Sequence, residues 1–252
     1  MLPESVQAFI DAEIAANEDD FSGLRCVVFN GTLQRSPAVS NTDALVAVSR
    51  HIMTSLGVTV DTIRTVDHTI PPGVWPDMRD QGYDVDDFPE LYRTCVEPAD
   101  MILLATPIWL GDQSSQTRKI IERLYAYSGE TNEATQWAYY GKVGGVLITG
   151  NEDGGKHCAA QMLYALQHIG CVVPPQSDSY WTGEAGPGPS YLDLDGQGTR
   201  NHWTTRNAVF MTWNMLHFAR MLKDAGGVPA YGNLTRNWNL ADPDHPNPEY
   251  RA

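Results

Sequence analysis

Short apolar runs of β-type residues alternate with helical patterns along most of this 252-residue chain, and that alternation constrains the fold most. The runs are Leu24–Phe29, Val58–Ile63, Met101–Ala105, Val143–Thr149 and Cys171–Val173. Between most of them lie the helical stretches Thr42–Leu56, Asp86–Val96, Ser114–Tyr127 and Lys156–Ile169. Strands alternating with helices predict an α/β fold, with a five-stranded parallel sheet covered by helices on both faces. Hydrophobicity in the first, third and fourth runs is continuous, as expected for strands buried on both sides. The length suits one large domain or two small ones, and the pattern is read as a single domain over residues 1–252. Its core would span residues 24–175, with residues 176–252 as a C-terminal extension.

Sheets of this kind bind ligands in the crevice beyond the carboxyl ends of their strands. Three polar loops of unusual composition follow strands. The first, Gly31-Thr-Leu-Gln-Arg-Ser-Pro-Ala-Val-Ser-Asn-Thr42, leads into a helix. A helix N-terminus offers free amides and partial positive charge, and the hydroxyls of Thr32, Ser36, Ser40 and Thr42 add donors for a phosphate. Arg35 is the one full positive charge within that loop. An ordinary N-cap explains Ser40 and Asn41 equally well. The loop lacks both the Gly-Lys-Ser/Thr ending of a nucleoside-triphosphate loop and the G-x-G-x-x-G of a dinucleotide fold, so a monophosphate ester suits it better.

The second loop is Thr106-Pro-Ile-Trp-Leu-Gly-Asp-Gln-Ser-Ser115. Pro107 is expected to stop the strand and Gly111 to allow a tight path, while Asp112, Ser114 and Ser115 can cap the next helix. Trp109 stands at the expected crevice, either facing a ligand or simply packing. The third loop, Thr149-Gly-Asn-Glu-Asp-Gly-Gly-Lys156, has three glycines whose exposed backbone would suit the edge of a flat heterocycle, unless it is only a glycine-rich turn.

Formal charge is −14, from 17 basic and 31 acidic residues. That argues against nucleic acid or an anionic membrane as partner. The four cysteines, Cys26, Cys95, Cys158 and Cys171, show no zinc or iron–sulfur spacing, and no metal is expected. The N-terminus lacks the basic and apolar regions of a signal peptide, and no apolar run reaches membrane-spanning length, so a cytoplasmic protein is expected. Val6, Phe9, Ile10 and Ile14 recur at helical spacing and predict a short amphipathic helix. Past Pro175, Tyr180–Tyr191 is rich in Gly, Pro and aromatics. Trp203–Lys223 then reads as a strongly apolar helix, packed on the sheet or on a second subunit. From Asn237 the tail is polar and proline-containing and is expected to wrap the surface or fray.

Taken together, the three loops resemble those of the flavodoxin-like NAD(P)H-dependent FMN reductase and quinone reductase family. Gly31–Ser36 with Ser40-Asn41-Thr42 resembles its phosphate loop, Pro107–Gly111 the loop lining the flavin ring, and Gly150–Gly155 the third flavin-contacting loop. The likeness covers roughly Leu24 to Pro175 and implies a flavodoxin-like three-layer sandwich holding a non-covalent FMN. Thr32, Gln34, Ser40, Asn41 and Thr42 would hold the phosphate. Pro107, Ile108, Trp109, Leu110, Gly111, Gly150, Asn151, Glu152, Asp153, Gly154 and Gly155 would bracket the isoalloxazine. The resemblance further implies NAD(P)H as transient co-substrate, a quinone, free flavin or similar small molecule as acceptor, and a homodimer or homotetramer. No catalytic acid or base is then required. A flavodoxin-type electron carrier is the competing reading. Arg118, Lys119 and Arg123 are candidate cations for NADPH, or else a solvated helix face.

Overall fold

The computed structural model describes residues 2–184 and 188–237. The chain starts with α1 (Glu4–Ala16), β1 (Arg25–Asn30), α2 (Asn41–Ser55), β2 (Thr59–Arg64) and the short α3 (Phe88–Leu91). It continues with β3 (Met101–Trp109), β4 (Asp112–Gln113), α4 (Ser115–Tyr125), β5 (Val143–Thr149), α5 (Gly155–Ile169) and β6 (Asp178–Trp181). The short α6 (Asp193–Gly196) and the long α7 (His202–Asp224) complete it. The parallel strands run in the order β2–β1–β3–β5–β6, with β4 paired antiparallel to β3. Because the chain moves first to one side of β1 and then to the other, a crevice opens above the carboxyl ends of β1 and β3.

Each face of the sheet has its own apolar core. On one face Ile10 of α1, Leu45, Ile52 and Met53 of α2, and Met211, Met215 and Leu216 of α7 pack together. On the other, Phe88, Ile120 and Leu124, and Met162 and Leu166 of α5 do so. The buried positions of α2 (Leu45, Val46, Val48, Ser49, Ile52 and Met53) follow the 3.6-residue period that packs one helix stripe onto a sheet. Strands β1 and β5 are buried almost throughout, as their continuous apolar sequences require.

Four sequence expectations change. The fifth strand is Asp178–Trp181, whereas Val172 of the expected Cys171–Val173 run makes only a single bridge to Val143. An edge strand needs one buried side, and β6 alternates half-buried Asp178 and Tyr180 with buried Ser179 and Trp181. Pro107 does not stop β3: it pairs with Thr149 and the strand continues to Trp109. Proline is tolerated at this place because its missing N–H falls where the neighbouring strand ends. The expected Asp86–Val96 helix divides into α3 and a wider π-helical turn, Tyr92–Val96. In α1, Ile10 is buried as expected, but Phe9 points to solvent. Residues beyond 175 therefore supply both the edge strand and α7, which lies between α2 and β6 and bonds Thr212 Oγ1 to Ser49 Oγ at 2.7 Å. The tail expectation, apart from Asn237, lies outside the described residues.

Candidate functional site

All three polar loops leave strands at the same end of the sheet. The first begins against the neighbouring strand, where Gly31 N–H donates to Ala105 O at 2.7 Å. A side chain at Gly31 would place its Cβ 1.8 Å from Thr117 Oγ1, so only glycine lets α4 approach this closely. Within the loop Thr32 N–H donates to Asn30 Oδ1 and Gln34 N–H to Thr32 Oγ1, which leaves the Thr32 hydroxyl proton free to donate elsewhere. Arg64, from the end of β2, clasps the loop from outside through Gln34 O and Ala38 O.

Ser40 caps α2, accepting from Asp43 N–H at 3.1 Å, so the N-cap reading holds for that side chain. Thr42 Oγ1 lies 2.9 Å from Thr149 Oγ1, joining the first turn of α2 to the end of β5. Ser36 is not available to a ligand: its amide and hydroxyl both donate to Asp67, which these bonds hold below the usual carboxylate range.

The second loop is a β-hairpin rather than an open loop. Ile108 pairs with Gln113 and Trp109 with Asp112, and the turn is Leu110-Gly111, both at positive φ. Ser114, not Asp112, caps α4 and also donates to Gly31 O at 2.6 Å. The hairpin tip rests on the third loop, where Leu110 N–H donates to Glu152 Oε1 at 2.8 Å. Gly154 has φ +124°, and a Cβ there would stand 2.5 Å from Gly111 O, so this contact between two backbones also needs glycine.

A cavity of about 270 Å³ lies where these loops meet. Thr32, Gln34, Ser40, Asn41 and Thr42 line it from the first loop, Pro107, Ile108 and Trp109 from β3, and Gly150 and Asn151 from the third loop. Leu110, Gly111, Glu152, Asp153, Gly154 and Gly155 do not line it; two contacts among them, Leu110 to Glu152 and Gly111 to Gly154, tie the hairpin to the start of α5. Some backbone groups expected to be free are already engaged: Gly150 N–H donates to Trp181 O and Asn151 O accepts from Gly188 N–H.

Sequence reasoning missed Leu33, Val39, Thr149, Ser190 and Tyr191 in the cavity wall. Leu33 and Val39 are apolar residues exposed in a polar loop, which was a usable signal. Tyr191 comes from the C-terminal segment, held over the site where Leu192 N–H donates to Asn41 Oδ1 at 2.8 Å. Its hydroxyl is buried without a hydrogen-bond partner, and burial pushes the phenol well above its usual range. A neutral O–H donor at the wall of a cavity is suited to a ligand that presents acceptors.

The donor set fits a flavin phosphate. The Thr32 and Thr42/Thr149 hydroxyls and the first-turn amides of α2 have the chemistry to donate to a phosphate, and Trp109 and Ile108 offer apolar surface to a ring. Among the described residues no cluster of His, Cys, Asp and Glu is arranged to hold a metal, and no helix is long and apolar enough to cross a membrane.

The sequence model of the NADPH-dependent FMN reductase family matches residues 24–185. A curated relative, the 8-demethyl-8-aminoriboflavin-5'-phosphate synthase of Streptomyces davaonensis, is 34% identical over 206 residues, covering 80% of this chain and 79% of that protein. The crystal structure of RosB with a bound 8-demethyl-8-formylriboflavin-5'-phosphate intermediate superposes with a TM-score of 0.77 at 31% identity, covering 91% of this chain and 90% of that one. A protein of Mycobacterium bovis named divalent metal cation transporter MntH is 54% identical over 209 residues; these are 83% of this chain but only 30% of that protein. The sequence match over residues 24–185 makes this chain a member of the NADPH-dependent FMN reductase family, flavodoxin-like oxidoreductases that use FMN and NAD(P)H.

Proposed function

We propose that the cavity binds FMN and that the protein is an NAD(P)H-driven reductase of a small acceptor such as a quinone or free flavin. The observation that carries this reading is a cavity lined by all three strand-end loops, with donors at the α2 end and Trp109 and Ile108 near the other loops. Thr32, Gln34, Asn41, Thr42 and the first-turn amides of α2 would hold the phosphate, with Ser40 fixing that turn as its cap. Pro107, Ile108, Trp109, Gly150 and Asn151 would border the ring, and Tyr191 would donate to one of its acceptors. Leu110, Gly111 and Glu152–Gly155 act one step away, by fixing the hairpin that carries Trp109. Bound FMN supplies the capacity to take a hydride and pass electrons on, so the chain's own work is placement and exclusion of water.

The visible spectrum of the purified protein, followed by anaerobic NADPH, tests this reading. Yellow protein that bleaches quickly supports it. Yellow protein that stays oxidised with both NADPH and NADH points to an electron carrier, and colourless protein that ignores added FMN overturns the flavin site.

A second reading is favoured by one feature of the fold. Ser190 and Tyr191, from outside the common strand–helix core, complete the cavity, and the RosB match extends over 91% of the chain, beyond that core. In that case the flavin phosphate would be the substrate rather than a resident cofactor. Mass spectrometry of flavin recovered after aerobic incubation separates the two: unaltered FMN supports the reductase, and a flavin changed at its ring supports the second reading.

A further inference from the structure

A second cavity, of about 450 Å³, adjoins the first and shares Leu33 and Trp109 with it as a common wall. Its remaining lining is Asp112, Gln113, Ser115, Arg118 and Gln161, from β4, α4 and α5. Two features make it a built site. Gln113 is only 8% exposed, yet its Oε1 is buried with no hydrogen-bond partner, a cost that a donor on a ligand would remove. Arg118 keeps 59% of its side chain exposed and meets Glu122 only at 3.8 Å, which leaves most of its donors uncommitted.

Charge narrows the ligand. In a chain of formal charge −14, an anionic reductant is repelled at long range and needs a local cation. Of the three basic residues on α4, Arg123 is fully buried against Asp86, and Lys119 lies half-buried with burial pushing its ammonium below the usual range. Arg118 alone of them lines a cavity beside the site. Asp112, in the same wall, has His157 beside it at 3.9 Å.

Size argues the same way. The first cavity, at about 270 Å³, has no room for a flavin phosphate together with a whole dinucleotide. A nicotinamide that reaches the flavin must therefore leave the rest of its molecule outside, and the adjoining space lies just past Trp109. Resting on the FMN and NAD(P)H reading above, we infer that this second cavity takes the phosphorylated ribose of NADPH. Its 2'-phosphate sits on Arg118 and a hydroxyl or amide N–H of the same molecule donates to Gln113 Oε1. Arg118 is then the residue that separates NADPH from NADH.

The test uses the full chain loaded with FMN, and the unreactive probes NADP+ and NAD+ titrated by calorimetry. Arg118→Gln should weaken NADP+ by about tenfold or more, the loss of a charge-assisted contact, while NAD+ and FMN affinities stay within about twofold. Gln113→Leu should weaken both dinucleotides, with its melting temperature checked against wild type. Parallel loss of NADP+ and NAD+ in Arg118→Gln, or no loss of either, overturns the assignment. Wild type that binds both dinucleotides equally and is bleached by NADH also overturns it, while the reductase reading stands. Wild type that binds neither overturns both.

Discussion

Thr42 Oγ1 and Thr149 Oγ1 stand 2.9 Å apart, buried, so two hydroxyls from different strand-end loops share one hydrogen bond. Whichever donates, the other keeps a proton with which to reach a ligand. Both side chains line the first cavity. Thr42→Val keeps the shape and removes one hydroxyl, and should raise the FMN dissociation constant by about tenfold or more, as expected for one lost bond to a charged group. Fluorescence titration of FMN measures it. Unchanged affinity would mean that this pair only joins α2 to β5. Ser40→Ala is less informative, because removing the cap by itself costs about 1 kcal/mol of helix stability.

The Ser36 turn of the first loop depends on Asp67, whose carboxylate accepts from Ser36 N–H at 3.0 Å and from Ser36 Oγ at 2.5 Å. These bonds favour the ionised form, so the folded-state pKa lies below the ordinary 3.8. The stabilisation is complete above that ordinary value and is lost as pH falls through the lowered one. Asp67→Asn should therefore weaken FMN binding near neutral pH, and the ratio of mutant to wild-type affinity should approach unity in strong acid. Equilibrium dialysis at several pH values reads this ratio, which cancels the ligand's own protonation. A ratio independent of pH would show that the turn holds without the carboxylate.

The sequence offers Arg123 as one of three candidate cations for NADPH, and its burial in the structure removes it from that role. Its guanidinium donates to Trp75 O, Pro76 O and Asp86 Oδ2, and both side chains of the ion pair are fully buried. Asp86 also accepts from Met78 N–H and Phe88 N–H, so the pair closes the loop that leads into α3. Arg123→Met leaves a buried carboxylate without its counter-charge and should cost about 3–5 kcal/mol. Adding Asp86→Asn should restore part of that. Urea denaturation measures both. NADP+ affinity of the folded variant should be unchanged, since Arg123 borders neither cavity at the site.

What could be read from the sequence divides along physical lines. Strands β1, β3 and β5 are buried on both faces, so their continuous apolar runs identified them, and the glycines and hydroxyls of the loops marked the strand ends. Strand β6 was displaced because a short edge strand carries only two buried side chains, whereas Cys171–Val173 offered the stronger apolar signal. The β3–β4 hairpin was hidden by Pro107, whose usual effect is to end a strand, and by Leu110, a residue that seldom takes positive φ. Tyr191 was out of reach for a different reason. Its place in the cavity depends on a tertiary contact, Leu192 N–H to Asn41 Oδ1, that spans 151 positions and leaves no local pattern.

The hairpin that carries Trp109 is held by backbone proximity more than by side chains. Gly154 faces the Gly111 carbonyl so closely that an added Cβ would lie 2.5 Å from the oxygen and 2.7 Å from its carbon. Both atoms are backbone, so neither can rotate away, and at φ +124° an L-residue is strained as well. Gly154→Ala must therefore push the tip off the start of α5, lengthening the Leu110 N–H to Glu152 Oε1 bond that now measures 2.8 Å. The variant should lose at least about 1 kcal/mol of stability, by the strain at that φ alone. More specifically, it should shift Trp109, which is 54% exposed in the wall shared by the two cavities. Both FMN and NADP+ should then bind more weakly, whereas Thr42→Val should affect FMN first and Arg118→Gln NADP+ alone. Titrating both ligands against the three variants separates a displaced common wall from the loss of one contact. If Gly154→Ala lowers the melting temperature but leaves both affinities intact, the hairpin's position does not matter to either cavity.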